Sequence, residues 1–523
     1  MRIFAPTIAL VRRISGLVSR FVIDRRGSFV AVFALSVLPL VTIAGAAVDL
    51  SQAVMVRARL AKAVDAAGLA AGAMQNASVQ EIEETAQRFF LANYPATELG
   101  VPASLQVSVT DGTINLSANA ALNTLILKSV GLDKMDVGVK AEVTREQRNI
   151  EVILVLDNTG SMAGSGKMNS MKAAATELVN ILFGDDAFHP HLKVGLVPFV
   201  TSVNIKREGV FDMAWMDQNG EAAHHGINFE NEDGDYYHNP SLGPVNHFAL
   251  FDAVGNTDWK GCVEARPYPH DTQDTAPSNS NPDTKWVPYF WPDEPSSGGY
   301  NNNWINYPGP HWNKAEQQRD ISHYSIGPWS IDETPKSTRG PNMSCPRPVL
   351  PLTNNKQQIL EEIDLMEPHY NSGTNTALGL TWGWRLISPS APFTEGGPFF
   401  DEDTQKVIVL LTDGHNVVVG QNNNNKSDYN GYNYLSNKIL DTQNKWTAAS
   451  KVTQRMSDVC EDVKALDVRL YTIVFMLNNN EIENTFRDCA SYEQNYFNSP
   501  NGQDLKSAFT TIATDLTKLR ISK

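Results

Sequence analysis

The sequence predicts an α/β fold: a doubly wound parallel sheet carrying a large loop-rich insertion, preceded by a membrane-spanning helix and a small α+β module. Three observations point there. Four runs, IEVILVLD, LKVGLVPFV, KVIVLLTD and VRLYTIVFML, are apolar almost throughout, as strands buried on both faces of a parallel sheet are. Helical patterns lie between and after them, among them MNSMKAAATELVNILF, NKQQILEEIDLM, NTALGLTWGWRLI, KWTAASKVTQRMSDVCEDVKAL and DLKSAFTTIATDLTKLRI, and strand alternating with helix builds crossover units. At 523 residues, the chain exceeds one ordinary core and calls for two or three domains.

Residues 1–27 form a basic segment, with Arg2, Arg12, Arg13, Arg20, Arg25 and Arg26 against Asp24. Ser28 to Val48 follows as 21 residues without a charge, the length that a helix needs to cross a bilayer. The arginines place the N-terminus in the cytoplasm and everything after Asp49 on the other side of the membrane. Residues 49–148 are expected to hold a stalk helix and a small α+β module. The alanine-rich stretch from Asp49 to Met74 continues the helix outward, either as a stalk or as an ordinary packing helix. A second helix covers residues 77–100 and breaks at Tyr94-Pro95. LQVSVTDGTINLSA and MDVGVKAEVT alternate with period two, the first around an Asp111-Gly112 hairpin turn.

The α/β domain spans 149–520 and is interrupted at about 203–350 by a segment holding seven of the ten tryptophans. It is too aromatic for disorder; its tryptophans either recognise a partner or pack the insertion down. GQNNNNKSDYNGYNYL at 420–435 reads as an exposed loop. His224-His225 and the acidic NEDGD near 231 read as solvated loop rather than a second ion site, since calcium-loop spacing is absent. The four cysteines, Cys262, Cys345, Cys460 and Cys489, lack zinc-ligand spacing. In an oxidising compartment the pairings 262 with 345 and 460 with 489 are favoured over the other two. Lys+Arg 43 against Asp+Glu 58 gives a net charge of −15, which argues against nucleic-acid binding and fits cation binding.

The chemistry concentrates in EVILVLDNTGSMAGSGKM, residues 151–168. A phosphate-binding loop fails here: five residues separate Gly160 from Gly166, and Met168 stands where a metal-holding hydroxyl belongs. A phosphatase of the D-x-D kind fails too, because Thr159 cannot act as the acid/base partner of Asp157; no catalytic residues are expected. A hard cation fits better. Asp157, Thr159 and Ser161 end one strand, Thr374 opens a helix and Asp413 ends another strand, so five oxygen side chains converge at the sheet's carboxyl edge. Such a set suits Mg²⁺, or Mn²⁺.

VLDNTGSM, SGTNTALGL and VLLTDG, in that order, resemble the metal-ion-dependent adhesion site of von Willebrand factor A domains, with threonine where that family more often has serine. The resemblance implies that Asp157, Thr159, Ser161, Thr374 and Asp413 are direct or water-bridged ligands, and that a partner protein's acidic group completes the shell. RRGSFVAVFALSVLPLVTIAGAAVDLSQA resembles the N-terminal segment of TadE/TadG-like tight-adherence (Flp) pilus assembly proteins. PFVTSVN, WKGCVEARPYP, WGWRLISPSAPFTEG and the CAS of RDCAS extend that resemblance to members carrying a von Willebrand A domain. Val32 stands where related prepilins carry a glutamate past Gly27, which implies a retained anchor rather than a processed leader. The resemblance implies a single-pass protein of a bacterial inner membrane, its pilin-like module and the bulk of the chain periplasmic, acting as an assembly module that binds a pilus or secretion-machinery protein through the ion. The alternative is a surface adhesin using the same ion to bind host or matrix protein.

Overall fold

The computed structural model describes residues 26–519 apart from 75–77, 96–99, 111–112, 145–147, 231–244, 295–301, 307–313, 328, 337–338 and 371–372. The Asp111-Gly112 turn, the NEDGD stretch, Trp312 and nearly all of the basic N-terminal segment lie outside the described residues. The chain forms two compact units, residues 1–146 and 147–523.

The first unit is built on α1 (Arg26–Gly72), a single helix of 47 residues that contains Pro39. It is the one helix among the described residues long and apolar enough to cross a membrane. Past the apolar run its character changes. Ala53, Val56, Leu60, Ala63, Val64, Ala67 and Ala71 are buried at spacings of three and four, which is one helical face. That face packs with α2 (Val79–Asn93) on an antiparallel meander of β1 (Val101–Thr110), β2 (Thr113–Asn123) and β3 (Lys134–Thr144). The alanine-rich stretch is therefore a packing helix. Small residues allow the approach: a Cβ on Gly68 would lie 2.8 Å from Val143 Cγ2. Ser78 and Glu81 start α2 with a reciprocal capping box. Asp49, fully buried in α1, accepts hydrogen bonds from the backbone N–H groups of Leu125, Ile126 and Leu127 at 2.8, 3.0 and 2.8 Å.

The second unit contains β4 (Asn149–Asp157), α3 (Lys167–Phe183), β5 (Leu192–Phe199) and the short β6 (Val203–Asn204). The insertion contributes α4 (His247–Val254), β7 (Cys262–Val263) and α5 (Lys314–Arg319). Then come β8 (Leu350–Thr353), α6 (Lys356–Asp364), α7 (Thr376–Ile387), β9 (Thr404–Thr412), α8 (Lys445–Ala465), β10 (Arg469–Phe475), α9 (Asn480–Cys489), β11 (Tyr496–Ser499) and α10 (Gly502–Leu519). The strand order is β11-β10-β9-β4-β5-β6-β7, with β8 pairing β5. The first five strands in that order are parallel, whereas β6, β7 and β8 run antiparallel to their neighbours. The sheet is thus mixed at one edge, where the chain leaves and re-enters around the insertion.

Helices cover both faces. Val152, Leu154 and Leu156 of β4 pack with residues of α3, α6 and α10, while Ile153 and Val155 pack with α7 and α8. Every residue of α7 is buried, because the insertion lies on its outer side. Its glycines bring it close to the sheet, since a Cβ on Gly383 would lie 2.7 Å from Val155 Cγ2. At the far end of β4, Glu151 is 4% exposed. It accepts from Lys406 Nζ at 2.5 Å and from the Gly397 N–H at 2.9 Å, with Lys193 Nζ at 3.5 Å.

The tryptophans pack the insertion down. Trp259, Trp286, Trp291 and Trp304 are buried, and Trp286 meets Trp382 of α7 at 4.9 Å between ring centroids. Arg266 lies over the Trp286 ring at 4.5 Å and Arg385 over Trp382 at 4.7 Å. Residues 420–435 are only in part the exposed loop that their asparagines suggest: Asn422, Asn424 and Lys426 are exposed, but the second half is not. Residues 427–435 are buried throughout: the Tyr429 hydroxyl donates to Glu264, Asn433 Nδ2 to Glu264 Oε2 at 2.7 Å, and the Tyr434 hydroxyl to Glu294 Oε1 at 2.8 Å. His225 is likewise buried rather than solvated, its Nδ1 2.7 Å from Asp217 Oδ2 and its Nε2 accepting from the His247 N–H at 2.9 Å.

Both favoured disulfides are present, Cys262–Cys345 and Cys460–Cys489. The first closes a loop with a sequence separation of 83, so Cys262→Ser with Cys345→Ser should cost about 4 kcal/mol of stability by loop entropy. Denaturant unfolding checks this; an unchanged midpoint would mean that the packed tryptophans already hold the loop.

Candidate metal centre

β4 and β9 are adjacent and parallel, so their carboxyl ends deliver Asp157 and the Thr412-Asp413 pair side by side. The turn after β4 is shaped by Ser165 and Gly166, both left-handed with φ of 54° and 70°. It returns the chain into α3, with Lys167 at the helix start. Gly160 passes close to the neighbouring backbone: a Cβ there would lie 3.2 Å from the His369 carbonyl oxygen.

Four of the five expected ligands form one connected set. Ser161 Oγ donates to Asp413 Oδ1 at 2.6 Å and stands 2.9 Å from Thr159 Oγ1. Asp157 Oδ1 accepts from the Thr159 N–H at 2.8 Å, and its Oδ2 from Thr412 Oγ1 at 2.6 Å. Asp157, Thr159 and Asp413 are buried, while Ser161 is exposed, so the cluster opens to solvent at the serine. Thr374 is also buried and is tied to the segment following β9 by its backbone, with N–H and C=O each 3.0 Å from Val417. Among the described contacts no side-chain hydrogen bond joins it to the other four.

Two residues join the cluster that sequence reasoning did not place there. Thr412 orients Asp157; its only signal was a hydroxyl immediately before Asp413. Lys167, which follows Gly166 where a phosphate-binding loop would carry its lysine, puts Nζ 2.8 Å from Asp413 Oδ2.

Burial, then the Asp413 carboxylate, pushes the Asp157 carboxyl up to about 6 despite its hydrogen bonds to Thr159 and Thr412. Two buried carboxylates facing hydroxyl oxygens, with only one ammonium between them, fit a hard divalent cation. Among the described residues no three His, Cys, Asp or Glu side chains gather as a metal site, so the remaining donors here are hydroxyls and water. The raised carboxyl has a measurable consequence. Its folded value exceeds that of an unfolded aspartate, so its contribution to folding is full below pH about 4 and is lost as pH rises through about 6. In chelator, the parent should therefore lose stability relative to Asp157→Asn across that window. Denaturant unfolding at pH 4.5–7 checks this, and parallel curves would contradict it.

Residues 27–75 match the family model of Flp pilus-assembly TadE/G-like proteins. The N-terminal segment is TadE/G-like. The matched residues cover the apolar half of α1 and its alanine-rich continuation. No curated protein matches the chain by sequence. Among solved structures, the von Willebrand factor domain of the type V pilus tip protein Mfa5 of Porphyromonas gingivalis is 10% identical, with a TM-score of 0.33 over 72% of this chain and 97% of that one. The pilus adhesin SpaC of Lactobacillus rhamnosus GG is 11% identical, with a TM-score of 0.31 over 82% of this chain and 36% of that one. The PilB minor pilin of Streptococcus sanguinis is 12% identical, with a TM-score of 0.32 over 80% and 78%.

Proposed function

We propose that this chain is a single-pass inner-membrane protein whose periplasmic von Willebrand A domain assists assembly or anchoring of Flp-type pili through metal-dependent protein binding. It acts as a binding module and not as an enzyme. The observation that carries the reading is the pairing of Asp157 with Asp413 across adjacent strand ends, linked through Ser161, Thr159 and Thr412.

Asp157, Thr159, Ser161, Thr374 and Asp413 would hold Mg²⁺ or Mn²⁺. When bound, the ion supplies a Lewis-acidic position for a carboxylate from a pilus or secretion-machinery protein. The chain's own residues prepare that position. Thr412 and the Thr159 N–H fix the rotamer of Asp157, Ser161 links the first loop to Asp413, and Lys167 balances part of the charge. The Tad segment supports the pilus assignment, and the charge-free run in α1 supports the anchor; held at its N-terminus in the inner membrane, the chain reaches envelope partners more readily than another cell.

Calorimetry of the full chain in nanodiscs, titrated with Mg²⁺ and Mn²⁺, tests the reading. One equivalent bound by the parent and none by a folded Asp157→Ala variant is the expected result. No binding by the parent would overturn it.

A further inference from the structure

The connection between β2 and β3 is unusual for a hairpin loop. Residues 125–132 read LILKSVGL, whereas exposed loops are ordinarily polar. Leu125 is 56% exposed and Leu132 55%. The loop does not hang in solvent at a random place, for it is fastened to α1 where the apolar run ends. Ile126 packs so closely on Gly45 that a Cβ there would lie 2.2 Å from Ile126 Cγ2. Asp49, one helical turn further on, accepts the N–H groups of Leu125, Ile126 and Leu127. Gly45 lies three residues before the end of the charge-free run Ser28–Val48, about 4.5 Å inside it at 1.5 Å per residue.

The loop's backbone is also prepared for a dry environment. Besides the three N–H groups on Asp49, those of Thr124, Ser129, Gly131 and Leu132 bond to the carbonyls of Asp133, Ile126, Lys128 and Leu127 at 3.1, 2.9, 3.1 and 3.1 Å. Thr124 Oγ1 donates to the Leu132 carbonyl. Internal satisfaction of this kind is what a segment at membrane depth requires. Lys128 and Lys134 are exposed beside the leucines, as are Asp133 and Asp136, and lysine stems allow the ammonium groups to reach headgroups while the leucines lie deeper.

We propose that the β2–β3 loop is a second membrane contact: Leu125 and Leu132 enter the interfacial zone of the bilayer that α1 crosses. The occupant of this apolar surface is lipid, because the surface continues that of the spanning helix. This inference rests on the reading of Ser28–Val48 as a membrane span. It gives the small module a fixed height and rotation at the membrane surface, with α1 and the loop as two points of attachment.

The test uses the full chain with its native disulfides kept oxidised, in nanodiscs of phosphatidylethanolamine and phosphatidylglycerol containing doxyl-labelled lipid. Single variants Leu132→Cys, Leu125→Cys, Leu35→Cys and Asn115→Cys carry an environment-sensitive fluorophore; Leu35 marks the span and Asn115 the distant end of β2. Several-fold quenching is expected at Leu35, strongest with deep doxyl groups. Similar quenching is expected at Leu132 and Leu125, strongest with shallow ones, and none at Asn115. Quenching at Leu35 but at neither loop position would overturn the loop contact and leave the anchor standing. Absence of quenching at Leu35 would overturn the anchor and the loop proposal with it. Should Leu132→Cys fail to fold, Leu125→Cys decides the matter alone.

Discussion

Replacing Asp413 by alanine is expected to weaken Mg²⁺ binding at least about a hundredfold, since outer-shell changes alone cost 10–100-fold and this residue is a ligand in the proposed site. Asp413 is buried, accepts from Ser161 and pairs with Lys167, so its loss removes both a carboxylate donor and the group that positions Ser161. Ser161→Ala should weaken binding less, because the two carboxylates remain. Calorimetry beside circular dichroism separates lost affinity from lost structure. Unchanged affinity in a folded Asp413→Ala protein would move the ion elsewhere and remove the basis for metal-completed recognition.

The second large effect is on stability. Lys406→Met should destabilise the second unit by about 3–5 kcal/mol, the cost of leaving a buried partner charge uncompensated. Lys406 and Glu151 are both nearly inaccessible, with side chains 4% and 5% exposed, and 2.5 Å apart. Burial already pulls the Lys406 ammonium below its ordinary range, opposed by its bond to Glu151. In the single variant, Glu151 retains the Gly397 N–H and the more distant, half-exposed Lys193. Adding Glu151→Gln should restore most of the loss, because the orphaned charge then disappears. Denaturant unfolding of the parent, single and double variants measures this, and a double variant no better than Lys406→Met would assign the cost to packing.

The parts of the fold legible in the sequence are those whose environment is uniform along the element. β4, β5, β9 and β10 are enclosed on both faces, so their apolar runs announce them. β8 and β11 did not announce themselves, because LPLT and YFNS are too short to carry a pattern. Residues 420–435 misled for a different reason. Their asparagines and tyrosines look solvent-seeking, yet Asn425, Asn433 and Tyr434 each meet a buried carboxylate or amide supplied by the insertion more than a hundred residues away. The candidate site divides in the same way. Asp157, Thr159, Ser161 and Asp413 stood out because strand ends and turn residues mark them locally. Lys167 acquires its role from Asp413, 246 residues later, and local spacing could only compare it with a motif that it does not complete. Thr374 was read from its helix start, but its position is set by the backbone pairing of its loop with Val417, which local sequence does not reveal.

The continuity of α1 carries a mechanical consequence. The helix that leaves the apolar run is the same one whose alanine face, from Ala53 to Ala71, is buried against α2 and the meander. One unbroken helix joins the apolar run to the module. A pull on the module along this axis is therefore resisted in shear, by many small contacts loaded together, rather than by unravelling a tether one residue at a time. With the apolar run as the proposed anchor, tension on the module would pass along the helix to it undiminished, as it does along a rod set directly into a wall.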